Sequence, residues 1–452
     1  MVYQLKCLLL VFAIVGYANV FTSCSTKKAK DTQYDGPELL RQNQKQLTQV
    51  IIYDVFSPPV ASRIYAYTSL AAYEAIRHAE KGYPSIAAQL QGFPAMPQPV
   101  EGKKYDYRLA ATKAFFTVSH KVVFSIDSLK AHEEKVYSHF REVLDEEVYN
   151  RSVVFGEAVG AKILERAGND NYKKTRGMRK YLGSKDDGRW QPTAPDYLDG
   201  VEPFWSMISP FVMDSASQCQ VPEPPAFSKD TNSIFYQNAL EVYRIGHSLT
   251  DSQKTIIQYW DDNPFVMEHS GHMMFANKKI TPGGHWMGIA AIASEKSNAG
   301  EAKTAQVYAL TAIAILDGFI SCWDEKYRHE VVRPITVIHN LIDERWEPYL
   351  QTPPFPEYPS GHSTISAAAA TVLTHIFGEN FSFHDDSDKE YIGMERDFAS
   401  FNQAAAEAAI SRVYGGIHYR TGMEAGVDQG RRVGQLVVEK IKVHDSLSAV
   451  ID

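Results

Sequence analysis

Five basic side chains in the last third of this 452-residue chain stand at spacings that let them converge on one anion: Lys326, Arg333, His362, Arg412 and His418. Lys326 and Arg333 are seven residues apart, two turns of an α-helix, which would place their cationic heads on nearly the same face before Pro334 breaks or redirects the helix. Pro359-Ser360-Gly361-His362 opens an alanine-rich stretch. A helix start offers unpaired backbone N–H groups and the positive end of its dipole to an anion. Ser360 is placed to cap that helix or to bond the anion, and Gly361 leaves the backbone open to close approach. His362 sets a titratable nitrogen in the first turn. Arg412 ends a third helical stretch, and Gly415-Gly416 stop it, so Arg412 and His418 can reach one site without sharing a face.

A tetrahedral oxyanion carries its charge on peripheral oxygens. Three cations can neutralise it, the two arginines with planar, multi-donor forks. A neutral imidazole can ligate a metal or attack phosphorus, and a second can move a proton. Taken singly, the three pieces read as a surface cation pair, a plain N-cap and a helix-end charge. Together they point to a site for one tetrahedral oxyanion.

In this order, Lys-x6-Arg-Pro, Pro-Ser-Gly-His and Ser-Arg-x5-His resemble the signature of the type 2 phosphatidic acid phosphatase and vanadium-dependent haloperoxidase superfamily. Trp323-Asp324-Glu325-Lys326 and the run from Pro353 to His362 are most similar to its vanadium chloroperoxidase-like bacterial members, as are the segments 57–67 and 282–286. The resemblance implies an all-α protein of helical bundles, with the oxyanion cradled by Lys326, Arg333, Ser360, Gly361 and Arg412. It implies His418 at the axial position, His362 as acid–base catalyst, and Trp323 and Phe355 lining a halide pocket.

Two chemistries fit that cradle. In a haloperoxidase, vanadate is the cofactor, His418 its metal ligand, Lys326 polarises peroxide, and halide is oxidised by hydrogen peroxide. In a phosphatase there is no cofactor: His418 forms a phosphohistidine from a phosphomonoester or lipid phosphate, and His362 protonates the leaving oxygen. Chain size, the absence of evident membrane spans, Trp323 and Phe355 favour the haloperoxidase. A noncatalytic anion-binding surface lipoprotein is a third reading. One position departs from the signature: the superfamily often carries Asp four residues after the last histidine, and here that residue is Gly422. Asp261, Asp262 and Glu424 are the candidates to support His418 instead.

The elements that must position these residues are helical. Apolar spacing of the helix period runs over Ala61 to Ile76, Arg108 to Val123, Ala131 to Leu164, Ala302 to Trp323, Ser363 to Phe377, Phe398 to Val413 and Met423 to Ile441. Pro- and Gly-rich connectors separate them, and no alternating strand series or internal repeat is present. The long segment 172–227, with seven prolines from Pro192 to Pro225, reads as a covering loop or a surface excursion. The run from His384 to Asp388 reads as a solvated acidic turn, and His269 and His272 as structural. His285 and His329 read as packing or surface residues, with the rim of the pocket as the alternative. Asp317 would balance buried positive charge or stabilise its helix.

A net charge of −8 and a pI near 6.0 argue against a nucleic-acid binder. Residues 1–24 read as an export segment: Lys6, an apolar run from Cys7 to Val15, then Phe21-Thr22-Ser23-Cys24. This is similar to a bacterial lipoprotein signal, with Cys24 as the acylated residue, a polar tether over 25–45, and a helical body over 46–452 whose catalytic region spans about 300–443. It implies a lipid-anchored protein of the bacterial cell envelope, periplasmic or outer-membrane associated. Cys219 and Cys322 then remain as core thiols.

Overall fold

The computed structural model describes residues 32–34, 36–264, 266–270, 273–276 and 278–443. The export segment with Cys24, and His272, lie outside them, as does the side chain of His269. Helix α1 (Gly36–Tyr53) already occupies much of the expected tether. Leu39, Leu40, Leu47, Val50 and Ile51 recur at helical spacing among its polar residues and are buried, so the stretch docks from residue 36 onward.

An N-terminal bundle follows: α2 (Pro58–Ile76), α3 (Tyr107–Val122), α4 (Ile126–Val143) and α5 (Glu146–Gly168). The stretch expected as one helix over 131–164 is two, because Leu144 and Asp145 are extended. Glu146 and Glu147 then favour a new helix start through its dipole. Helices α6 (Ile234–His247), α7 (Asp251–Tyr259) and α8 (Pro282–Lys296) lead to the central element, α9 (Glu301–His329). By length and hydropathy α9 could cross a bilayer, the one helix among the described residues to do so, but its apolar window is wholly buried and it forms the core. It packs on α2 on one side and on the C-terminal bundle on the other.

That bundle comprises the short α10 (Pro334–Leu341), then α11 (Gly361–Phe377), α12 (Phe401–Tyr414) and α13 (Arg420–Lys440). Helix α13 lies against α11 at backbone contact: a Cβ on Gly426 would stand 2.6 Å from the Ser360 carbonyl, and one on Gly430 would overlap that of Thr364. Glycine at this four-residue interval fixes how closely α13 braces the start of α11.

Two small antiparallel hairpins were not foreseen: β1 (Met267–Ser270) with β2 (Met273–Ala276), and β3 (Phe383–Asp385) with β4 (Arg396–Phe398). The second corrects the solvated-turn reading, since Asp385 and Asp388 are buried. The segment 172–227 is an ordered cover. It buries Trp190, Trp205 and Phe211, and its Val201 carbonyl accepts hydrogen bonds from Trp323 Nε1 and the Tyr327 hydroxyl. Asp317 fastens the same cover to α9 by accepting the amides of Phe211, Val212 and Met213, with the buried Arg166 also acting on its charge. Cys219 and Cys322 are free and buried.

Candidate active site

Lys326 and Arg333 converge, but not along one helix. Helix α9 ends at His329, Glu330 adopts a left-handed φ of 51°, and Arg333 becomes the N-cap of α10 with Pro334 at its first position. The reversal brings the two cations against the proline-rich loop that precedes α11. Prolines cannot donate from their nitrogen, so that loop has carbonyls to spare. Lys326 Nζ donates to those of Pro356 (2.9 Å), Glu357 (3.0 Å) and Pro359 (2.5 Å). All three ammonium protons are thereby spent, so Lys326 offers the site its charge and no free donor. Complete burial pushes its pKa down to about 7.

Arg333 is equally buried. Its Nε donates to the Phe355 carbonyl (2.8 Å), and Nη1 to the Ile417 carbonyl (2.7 Å) and His418 Nε2 (3.1 Å). Nη2 has no partner. Arg412, at the end of α12, donates through Nη1 to the Trp260 carbonyl (2.6 Å) while its Nε is unpartnered. Burial lowers both guanidinium pKa values, that of Arg333 to about 10.

Because an arginine only donates, His418 Nε2 must accept, which assigns the ring proton to Nδ1. Nδ1 lies 2.7 Å from Glu357 Oε1, and the same oxygen accepts the Tyr419 amide at 3.1 Å. Burial, followed by the charges of Arg333 and Lys326, holds the imidazole pKa well below its ordinary value. His418 is therefore neutral, with its Nε2 lone pair accepting from the Arg333 guanidinium, whose Nη2 is unpartnered. Glu357, three residues before Ser360, is the carboxylate partner that sequence reasoning missed. Asp261 instead pairs with Lys279 (2.5 Å), Asp262 faces His285 and His362, and Glu424 is exposed on α13. A signal did exist: with Gly422 lacking a carboxylate, Glu357 is the acidic residue adjoining the Pro-Ser-Gly-His motif.

Ser360 caps α11, its Oγ accepting the Ser363 amide at 3.4 Å. The amides of Gly361 and His362 belong to the first turn, where helix geometry provides no acceptor. His362 Nε2 is buried without a hydrogen bond, 3.9 Å from Asp262 Oδ2, and burial together with Arg412 keeps its pKa far down. Trp323, Phe355, Gly361, His362, Arg412 and His418 line a narrow cleft with a cavity of about 30 Å³, and Lys326, Arg333 and Ser360 lie fully buried. The rings of Trp323 and Phe355 are 5.1 Å apart, with Lys326 Nζ 5.6 and 5.1 Å from their centres.

All nine residues expected in the mature chain's site thus meet at one place. His285, expected as packing or surface, is buried against Asp262, whereas His329 pairs with Glu325 on its own helix (3.0 Å). The cleft gathers three buried cations, two neutral imidazoles and a helix start around unpartnered donors. Such a set suits a small tetrahedral oxyanion.

Residues 306–445 match the family model described as the VCPO second helical-bundle domain. Vanadium chloroperoxidase of Curvularia inaequalis is 26% identical over 183 residues, which are 29% of this chain and 30% of that protein, so the match spans under a third of that relative. Among solved structures, the one described as the first bacterial vanadium-dependent iodoperoxidase is 46% identical, with a TM-score of 0.86, over 91% of this chain and 98% of its own. The holo form of a bacterial vanadium-dependent chloroperoxidase shares the fold at 17% identity, TM-score 0.65, over 86% of this chain and 93% of its own.

Proposed function

The chain belongs to the vanadium-dependent haloperoxidase family, and within that family we propose that it oxidises iodide with hydrogen peroxide, its vanadate held by the cleft described above. The preference for iodide rests on the likeness to the iodoperoxidase. The observation that carries the site is the pair of unpartnered buried guanidinium nitrogens, Arg333 Nη2 and Arg412 Nε, beside the unpartnered His362 Nε2. Buried donors are rarely left unmatched, and an oxyanion would satisfy all three groups.

Bound vanadate would supply a Lewis-acid centre that activates hydrogen peroxide toward halide. The chain's own residues supply the rest. Arg333 and Arg412 would hold the vanadate oxygens, joined by Ser360 and the first amides of α11. Lys326 adds a buried positive charge that favours the anion. His418 would ligate the metal through Nε2, which accepts from Arg333 Nη1 here, while Glu357 fixes the Nδ1 proton. His362, kept neutral by its surroundings, takes and returns protons on the cleft side. Trp323 and Phe355 give the halide an apolar wall and keep bulk water back.

The test is a titration of the full chain with orthovanadate, following peroxide-dependent oxidation of iodide, bromide and chloride alongside hydrolysis of a chromogenic phosphomonoester. Oxidation confined to iodide and requiring vanadate is expected. Bromide or chloride oxidised as well as iodide would overturn the assigned halide, and hydrolysis inhibited by vanadate would overturn the site roles.

A further inference from the structure

Asp262, which lines the cleft, also joins a second buried polar cluster formed with α8 and the chain following β3. His285 Nδ1 lies 3.2 Å from both carboxylate oxygens of Asp262 and 3.4 Å from Asp388 Oδ2, and its Nε2 lies 3.1 Å from Asp385 Oδ2. None of the four residues is more than 2% exposed. The imidazole is stacked on Trp260, ring centres 4.5 Å apart.

Hydrogen bonds alone do not account for this arrangement. Nδ1 carries at most one proton, yet two carboxylates crowd it. Asp388 Oδ1 is buried in the cluster with no hydrogen-bond partner. The three carboxylates also outnumber the nearby positive groups: Lys279 is committed to Asp261, and besides the imidazole the Arg412 charge acts on Asp262. Buried carboxylates are held by counter-charges or by metals.

We propose that Asp262, His285 and Asp388 bind a divalent transition-metal ion of the Zn²⁺ or Mn²⁺ class, through His285 Nδ1 and one oxygen of each carboxylate. One ligand atom from each residue lies within 4.8 Å of the others. The separations around Nδ1 are those of neighbouring ligands at roughly 2.0–2.2 Å from a shared ion. Asp385 plays the outer part: by accepting the Nε2 proton it leaves the Nδ1 lone pair for the metal, as carboxylate–histidine–metal arrangements require. A mixed imidazole and carboxylate set favours such ions over Ca²⁺ or Mg²⁺, which prefer oxygen alone. The site shares Asp262 with the lining of the cleft but uses none of the residues that cradle the oxyanion, and it does not depend on which halide is oxidised.

The experiment is metal analysis of the full chain purified without chelator, followed by addition of ZnCl₂ or MnCl₂ to metal-free protein, without vanadate, while the unfolding temperature is followed. Retention of about one equivalent through desalting and a rise of several degrees in Tm are expected. Asp388→Asn, which keeps shape and removes a repelling charge, should fold and lose both effects. A wild-type chain that retains neither ion and shows no rise in Tm overturns the proposal. So does an Asp388→Asn chain that binds as tightly as wild type. Should that variant fail to fold, the wild-type retention and Tm rise decide alone.

Discussion

The carboxylate of Glu357 fills the volume that a side chain at Gly422 would need: a Cβ built there would overlap Oε1 and stand 2.8 Å from Cδ. The same Oε1 receives the Nδ1 proton of His418 at 2.7 Å. The carboxylate missing from α13 is thus supplied from the loop before α11, and a glycine at 422 is what leaves room for it.

This exchange is testable in both directions. Glu357→Gln keeps the shape but weakens the hold on the His418 tautomer, and should lower vanadate affinity or turnover by roughly 10–100-fold. Gly422→Asp alone should destabilise the fold by crowding Glu357. In the Glu357→Ala/Gly422→Asp double variant, activity should recover above that of Glu357→Ala. Steady-state iodide oxidation against vanadate concentration decides it; no recovery would mean that Glu357 acts otherwise than by supporting His418.

Oxyanion binding should appear as stability. Orthovanadate at about a hundredfold excess over its Kd would add about 2.7 kcal/mol to wild-type unfolding. Arg412→Ala, which deletes the unpartnered Nε, should lose most of that gain while still folding. Thermal unfolding with and without vanadate is the measurement, and an undiminished shift in the variant would remove Arg412 from the cradle.

His78, packed between Tyr107 and Phe155, gives a pH prediction outside the site. Burial, reinforced by Arg77, lowers its pKa from 6.5 to about 4. Between those values the unfolded chain binds the extra proton, so stability rises with pH from about 4 to 6.5 and is lost as pH falls through that window. Urea unfolding of His78→Phe should be flatter across the window than wild type, and an unchanged slope would refute the assignment.

The lipid anchor is a proposal that rests on residues 21–24. Expressed in a Gram-negative host, the full chain should partition into the detergent phase and incorporate labelled palmitate, and Cys24→Ala should do neither. Equal partitioning of both chains would dismiss the anchor.

The sequence by itself determined the helical class and the nine residues that meet at the cleft, because both are written in local terms. Apolar residues at helical spacing bury one face, prolines and glycines end elements where they stand, and the three motif fragments keep fixed internal distances. Even so, Lys326 and Arg333 came together through a left-handed turn at Glu330 rather than along a helix. Polar-looking residues 36–45 became helix, since docking of a few leucines outweighs their neighbours' polarity. The partner of His418 was decided only by the tertiary structure. Glu357 and His418 are 61 residues apart, and what joins them is the seating of α13 on α11, where glycine backbone contact brings the loop carboxylate under the imidazole. The same holds for His285 with Asp262, Asp385 and Asp388: up to 126 residues separate these side chains, and no spacing rule encodes a meeting produced by packing.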